Sequence, residues 1–161
     1  MKGPVRSAEL QELQALVGKE LGTSQWVTIG QDLVDRFADL TDDHQPIHVD
    51  PVAAAHTSWG GTIAHGFLAL SLISNFAYQV VPQIRGTSAS LNYGFNRIRF
   101  TAPVPSGARI RGRFTLLSIE PRRDGSLNLT CNVTVEIEGR DRPALVAEWI
   151  TTALFNQHQT E

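Results

Sequence analysis

From Leu127 to Ile137 the chain alternates without a break: Leu127, Leu129, Cys131, Val133, Val135 and Ile137 are apolar, and the positions between them are Asn128, Thr130, Asn132, Thr134 and Glu136. A period of two predicts a strand with one buried face. Ile110, Gly112, Phe114 and Leu116 alternate with Arg109, Arg111, Arg113 and Thr115 in the same way. Asp124-Gly125 predicts the hairpin turn between these two strands. Ser90 to Phe100 supplies another strand, and the stretch from Gly139 to Pro143 leads into a last one ending near Phe155. The second half of the chain therefore reads as an antiparallel meander.

The first half carries the helical period instead. Leu10, Leu13, Leu16 and Val17 repeat behind Ser7, which would serve as N-cap, and Gly18 or Gly22 offers a stop. Gln25 to Ile29 reads as a short strand. Thr28 would then cap a second helix whose Leu33, Val34, Phe37 and Leu40 form one stripe and which ends near Thr41 to Asp43. Pro46 lacks an amide donor, and Asp50-Pro51 has the order of an N-cap followed by a first helical residue, so Asp42 to Asp50 reads as a loop between helices. After Gly60 and Gly61 the most apolar run predicts one long helix from Ala64 to Val81. Its polar interruptions and Pro82 make it a buried helix and not a membrane span.

Helices followed by long antiparallel strands predict an α+β domain in which the long helix covers the apolar face of the sheet. The chain has 161 residues, 42% apolar and 19% charged, enough to build one core without disulfides or a structural metal. One domain over residues 1–161 is expected, with residues 1–22 as a helical N-terminal extension. A net charge of -2 argues against general nucleic-acid or anionic-membrane binding. The lone Cys131 cannot form an internal bridge, and Met1 to Leu10 lacks the layout of a secretory signal, so the cytoplasm is the expected compartment.

Of the five histidines, His44 and His48 share one loop with Asp42, Asp43 and Asp50. That cluster is the main chemical signal. A zinc site using His44 and His48 would need them on a regular helix, which Pro46 prevents, and no further ligands complete it. No dinucleotide fingerprint and no nucleophile elbow occur, so neither metal nor redox cofactor is expected. What remains is Asp43 and His48 on a proline-stiffened turn, a spacing that lets a carboxylate and an imidazole hold one water. Taken alone, the same loop is better explained by Asp43 satisfying amides and His48 packing beneath the turn, the commoner fate of such residues.

The segment Asp43-His44-Gln45-Pro46-Ile47-His48-Val49-Asp50 resembles the D-x-N-P-I/L-H-x-D motif of the MaoC-like, (R)-specific enoyl-CoA hydratase family. Ile63-Ala64-His65-Gly66 is similar to that family's I-A/V-H-G, and Arg99-Phe100-Thr101-Ala102-Pro103-Val104 to its R-F-x-x-P-V, all in the family's order. The resemblance spans about Gln25 to Phe155. It implies a hot-dog fold, with an antiparallel sheet wrapped around one long central helix, and a dimer with a continuous sheet. It also implies syn hydration of a trans-2-enoyl thioester to a (3R)-hydroxyacyl product, or the reverse dehydration, on coenzyme A or an acyl carrier protein. In that role Asp43 and His48 are catalytic, and the backbone N–H of Gly66 in the first turn of a helix stabilises the developing enolate.

Substrate-binding candidates follow less directly. Gln45 stands where the family has Asn, one methylene shorter. Ser74 matches a serine near the family's active site, and His65 reads as a hydrogen-bonding brace for the loop. Arg97 and Arg99 would attract the phosphates of coenzyme A, although an arginine stripe also suits a solvated sheet face. Two other functions compete: a hot-dog thioesterase, which needs a carboxylate but not the Asp/His pair, and a catalytically weak acyl-thioester binding protein. The exposed edge of a long sheet adds a homodimer to the expectations.

Overall fold

The alternation of Leu127 to Ile137 becomes a strand because most of its odd-numbered residues meet apolar partners on both sides. The computed structural model describes residues 7–156. In chain order the elements are β1 (Ser7–Ala8), α1 (Leu10–Gln14), β2 (Glu20–Thr23), β3 (Val27–Thr28), α2 (Gln31–Thr41), α3 (Pro46–Val49), α4 (Pro51–Ala55), α5 (Gly66–Ser71), α6 (Ile73–Val80), β4 (Gln83–Ile84), β5 (Thr87–Phe100), β6 (Arg109–Pro121), β7 (Leu127–Ile137) and β8 (Leu145–Phe155). β2, β6, β7, β8 and β5 lie in that order in one antiparallel sheet, and β3 adds to β6. Across β6 and β7, Ile110 faces Ile137, Phe114 faces Val133 and Leu116 faces Cys131. From β8, Leu145, Ala147 and Trp149 face Val135, Val133 and Cys131, so one side of the sheet is apolar through its centre.

That side is covered by α5 and α6, giving the α+β hot-dog arrangement. Ile73, Phe76, Ala77 and Val80 of α6 are buried at helical spacing. Phe76 is fully enclosed, and Gly112 makes room for it: a Cβ at Gly112 would lie 2.8 Å from Phe76 Cβ and 2.7 Å from the Phe114 ring. The expected continuous helix is interrupted at Leu72. Just before the break the Ser71 hydroxyl donates to the Leu68 carbonyl at 2.8 Å, a local bond of the kind that bends helices. The helix also begins at Gly66 and not at Ala64, because Ile63 pairs with Pro105 and the Ala64 N–H donates to Val104.

On the outer side of the sheet the arginines of β6 are paired with glutamates. Arg111 and Arg113 both bond Glu136, at 2.6 and 2.7 Å, Arg113 reaches Glu20 at 2.7 Å and Arg109 reaches Glu138 at 2.8 Å. Partial burial alone would raise the Glu136 carboxyl, but the hydrogen bonds from Arg113 and Arg111 outweigh it and hold the pKa below the usual value. On the inner side, burial pushes the Cys131 thiol up to about 12. The Asp124-Gly125 turn forms as expected: Gly125 has φ +81°, and the Asp124 carboxylate accepts from the Ser126 N–H at 3.0 Å.

The helical reading of the N-terminus needs correction. Ser7 lies in β1, paired in parallel with β4, and the cap is Glu9, whose N–H is met by the Glu12 carboxylate at 2.9 Å. The helix stops at Gln14, short of Val17, and residues 20–23 form β2 beside β6. So the expected helical extension 1–22 holds strand as well as helix; its residues 1–6 lie outside the described residues. Thr28 is likewise in β3, and α2 is capped by Gly30. In α2 the buried stripe is completed by Ala38, while Leu40 is 82% exposed. No helix among the described residues is long and apolar enough to cross a membrane.

Leu13 is fully buried in the main core. Leu13→Ala should therefore lower the unfolding free energy by about 2–5 kcal/mol, as measured by urea denaturation. A loss near zero would mean that α1 contributes nothing to the core.

Candidate active site

The site is assembled from three short stretches. α2 ends on Asp42, whose φ of +57° is the only positive one among the described non-glycine residues; aspartate tolerates this left-handed turn better than most side chains. The turn ends the helix and carries the chain into Asp43, whose N–H still bonds Ala38. Pro46 then opens the one-turn helix α3, where a missing N–H costs nothing. The expected loop is thus partly helical, and His48 sits on that turn. Asp50 caps α4, accepting from the N–H groups of Val52 and Ala53 at 3.0 Å each.

His48 is buried, and its Nδ1 lies 2.7 Å from the carbonyl oxygen of Ile63. A carbonyl only accepts, so Nδ1 carries a proton, and in the neutral form of the ring Nε2 presents a lone pair. His65 is oriented in the opposite sense: its Nε2–H donates to the Asp43 carbonyl at 2.9 Å, leaving the buried Nδ1 without a partner. The two rings stack with centroids 3.8 Å apart. The Asp43 side chain is 42% exposed, with one carboxylate oxygen 4.0 Å from His65 Nε2. Asp43, His48, His65 and Gly66 all line one cleft of about 420 Å³, walled by Phe37 and Phe67.

Gly66 opens α5 immediately after His65, so its N–H has no acceptor in a preceding helical turn. A Cβ there would lie 3.0–3.3 Å from the ring of Phe100. Close packing and an open N–H are therefore both served by glycine at this position. Phe100 belongs to a second cleft, of about 270 Å³, which His48, His65 and Gly66 also line.

The remaining candidates lie elsewhere. Gln45 is exposed and lines neither cleft; its backbone carbonyl accepts from the His48 N–H at 2.8 Å. Ser74 lines a separate, mainly apolar cavity with Ala77, Cys131 and Trp149. Arg97 and Arg99 are exposed on β5, opposite Glu148 and Val146 of β8. His44 points away from His48 to Asp39, at 2.9 Å, and that hydrogen bond raises its pKa.

One residue and one grouping were not expected from the sequence. Gln31 donates to the His48 carbonyl and to Asp35, both at 2.7 Å, and accepts from the Thr62 hydroxyl at 2.5 Å, tying α2, α3 and the Thr62 segment together. The second is the triad of ligand-type groups: ligand atoms of Asp43, His48 and His65 lie within 4.8 Å of one another. The histidine pair weighed for a metal, His44 and His48, is not the pair that meets. The arrangement supplies a carboxylate, a bare imidazole nitrogen and a helix-start N–H around one cleft, the parts needed for metal-free acid-base chemistry beside a developing oxyanion.

A family model described as a MaoC-like domain matches residues 12–137, a span that contains all of these residues. This chain is a member of the MaoC-like dehydratase family. It is 51% identical over 148 residues to nodulation protein N of Rhizobium meliloti, covering 91% of this chain and 92% of that protein. With 3-hydroxyacyl-thioester dehydratase Z of Mycobacterium tuberculosis it shares 46% identity over 139 residues, 86% of this chain and 91% of the relative. Among solved structures, the (R)-hydratase from A. caviae involved in PHA biosynthesis aligns with a TM-score of 0.69 and 27% identity, over 84% of this chain and 94% of that one. The MaoC-like assignment and the hot-dog fold implied by the sequence motifs both hold, and the family includes hydratases and dehydratases.

Proposed function

We propose that this MaoC-like protein adds water to trans-2-enoyl thioesters to give (3R)-hydroxyacyl thioesters, or runs the reverse dehydration. The observation that carries the reading is that His48, with Nε2 bare, the Asp43 carboxylate and the N–H of Gly66 serve a single cleft. A water held between Asp43 and His48 loses a proton to the pair as its oxygen bonds Cβ, and the pair returns a proton to Cα on the same face. The electrons displaced from the double bond rest on the thioester oxygen, where the Gly66 N–H stabilises them until Cα is protonated. Atoms balance: OH to Cβ and H to Cα.

A thioesterase would not require the Asp43/His48 pair, and the related proteins named as dehydratase and hydratase support the hydro-lyase reading. Coenzyme A or an acyl carrier protein is the proposed carrier, no cofactor is required, and the cytoplasm is the proposed compartment. A homodimer is proposed as well. β5 terminates the sheet, and its Leu91, Tyr93 and Phe95 are exposed, an unpaired edge that a second copy would cover.

Asp43→Asn and His48→Gln should each lower hydration of crotonyl-CoA or a longer enoyl-CoA by at least ~10²-fold, the scale of a positioned acid-base group, with little change in melting temperature. The double variant should be scarcely slower than either single one, because both act on one water. Additive, modest losses together with a lowered melting temperature would show that the residues only hold the turn.

Chelation is expected to leave the rate unchanged; activity lost to EDTA and restored by zinc would put a metal in the Asp43–His48–His65 cluster and sink the water-relay reading. Light scattering at assay concentration should give the mass of a dimer, and a strictly monomeric mass would count against the pairing through β5.

A further inference from the structure

His65 is 3% exposed and makes a set of contacts that no packing requirement explains. One face of its ring stacks on His48 at 3.8 Å, and Phe37 approaches it at 5.1 Å. Nε2–H donates to the backbone carbonyl of Asp43, while Nδ1 is buried with no partner. A phenyl ring of similar size would fill the same space without burying an unsatisfied lone pair, which is a standing cost. The imidazole gains over it only one thing, the donor aimed at Asp43.

The position of that donor in the chain matters as much as its partner. His65 caps α5, and the next residue is Gly66. A single rigid ring therefore connects the backbone that carries the carboxylate, the imidazole that accepts the proton and the first N–H of the helix.

We propose that His65 is a positioning residue: it fixes Asp43, His48 and the Gly66 N–H relative to one another, without touching the reacting atoms. This rests on the hydratase reading above. If Asp43 drifts when the bond is lost, the shared water is misplaced while the thioester still binds, so kcat should fall and KM should not.

The test compares three substitutions that differ in where a donor is offered. His65→Phe keeps a ring and removes the donor. In His65→Gln the amide nitrogen stands the same number of bonds from Cβ as Nε2, whereas in His65→Asn it stands where Nδ1 was.

With enoyl-CoA as substrate, His65→Phe should lower kcat by ~10- to 10²-fold, the cost of a misplaced catalytic group, with KM within ~3-fold of the parent protein. His65→Gln should recover most of the loss, and His65→Asn should not. In the Asp43→Asn background His65→Phe should cause a smaller further loss than in the parent protein, because one of the groups it positions is already gone. An active parent protein whose His65→Phe variant keeps its kcat, or whose Gln and Asn variants lose activity equally, would overturn the positioning role and leave the hydratase reading standing. A folded parent protein that hydrates no enoyl thioester would overturn the hydratase reading itself, and the positioning role with it.

Discussion

The site depends on a short strap of chain, residues 62–65, bonded on both sides. Towards the loop, the Ile63 N–H donates to Ile47 at 3.0 Å and the Ile63 carbonyl accepts from His48 Nδ1 at 2.7 Å. Towards the sheet, Ile63 bridges Pro105, and the N–H of Ala64 donates to Val104 at 2.8 Å. The one-turn helix α3 is too short to hold itself in water, so His48 takes its place from this strap. Because the strap is itself fixed to the segment after β5, the imidazole inherits the rigidity of the sheet. The same carbonyl that orients the ring also decides which nitrogen is left bare.

Rigidity of that kind has to be built on the core, and the core is arranged around one close approach. Gly112, near the start of β6, lets Phe76 settle against the sheet, and that sets the height of α6. α5 is separated from α6 by Leu72 alone, so the position of Gly66 at the far end of α5 follows from the same contact. On the opposite side of the sheet, the Arg–Glu network around Glu136 is partly exposed and contributes modestly. It does account for the arginines of β6 without a ligand.

Much of this was legible because it is local. The alternation in β6 and β7, the Asp124-Gly125 turn and the Asp50 cap are each decided within a few residues, and the motifs around Asp43 and His65 lie in short runs. What the sequence hid was either a small local competition or a long-range bond. The period of 3.6 that marks residues 64–81 is blind to a break of one residue at Leu72, and the apolar count favours Leu40 over Ala38 although the angle around α2 favours Ala38. β2 follows α1 with no helix-to-strand signal beyond Gly18. The bond from Gln31 to His48 joins residues 17 apart, and no spacing rule predicts a pair that only the fold brings together; His65 was legible as a brace for the loop, but not its partner 22 residues away, the Asp43 carbonyl.

The two central side chains are treated differently by that fold, and the difference bears on how water reaches them. His48 is 7% exposed and held at one nitrogen, while the Asp43 side chain is 42% exposed and is fixed through its backbone. Water therefore meets the carboxylate first. A deeply buried carboxylate would have to shed its hydration, a desolvation cost that the partly exposed Asp43 side chain largely avoids. Freedom at the Asp43 side chain is tolerable only if its backbone does not move. The carbonyl of Asp43 is bonded by His65, and its N–H by Ala38 at the end of α2. Both peptide groups flanking the Asp43 Cα are thus anchored to parts of the fold that do not open to solvent. Openness to water and fixed geometry are opposing demands, and here they are met by different atoms of the same residue.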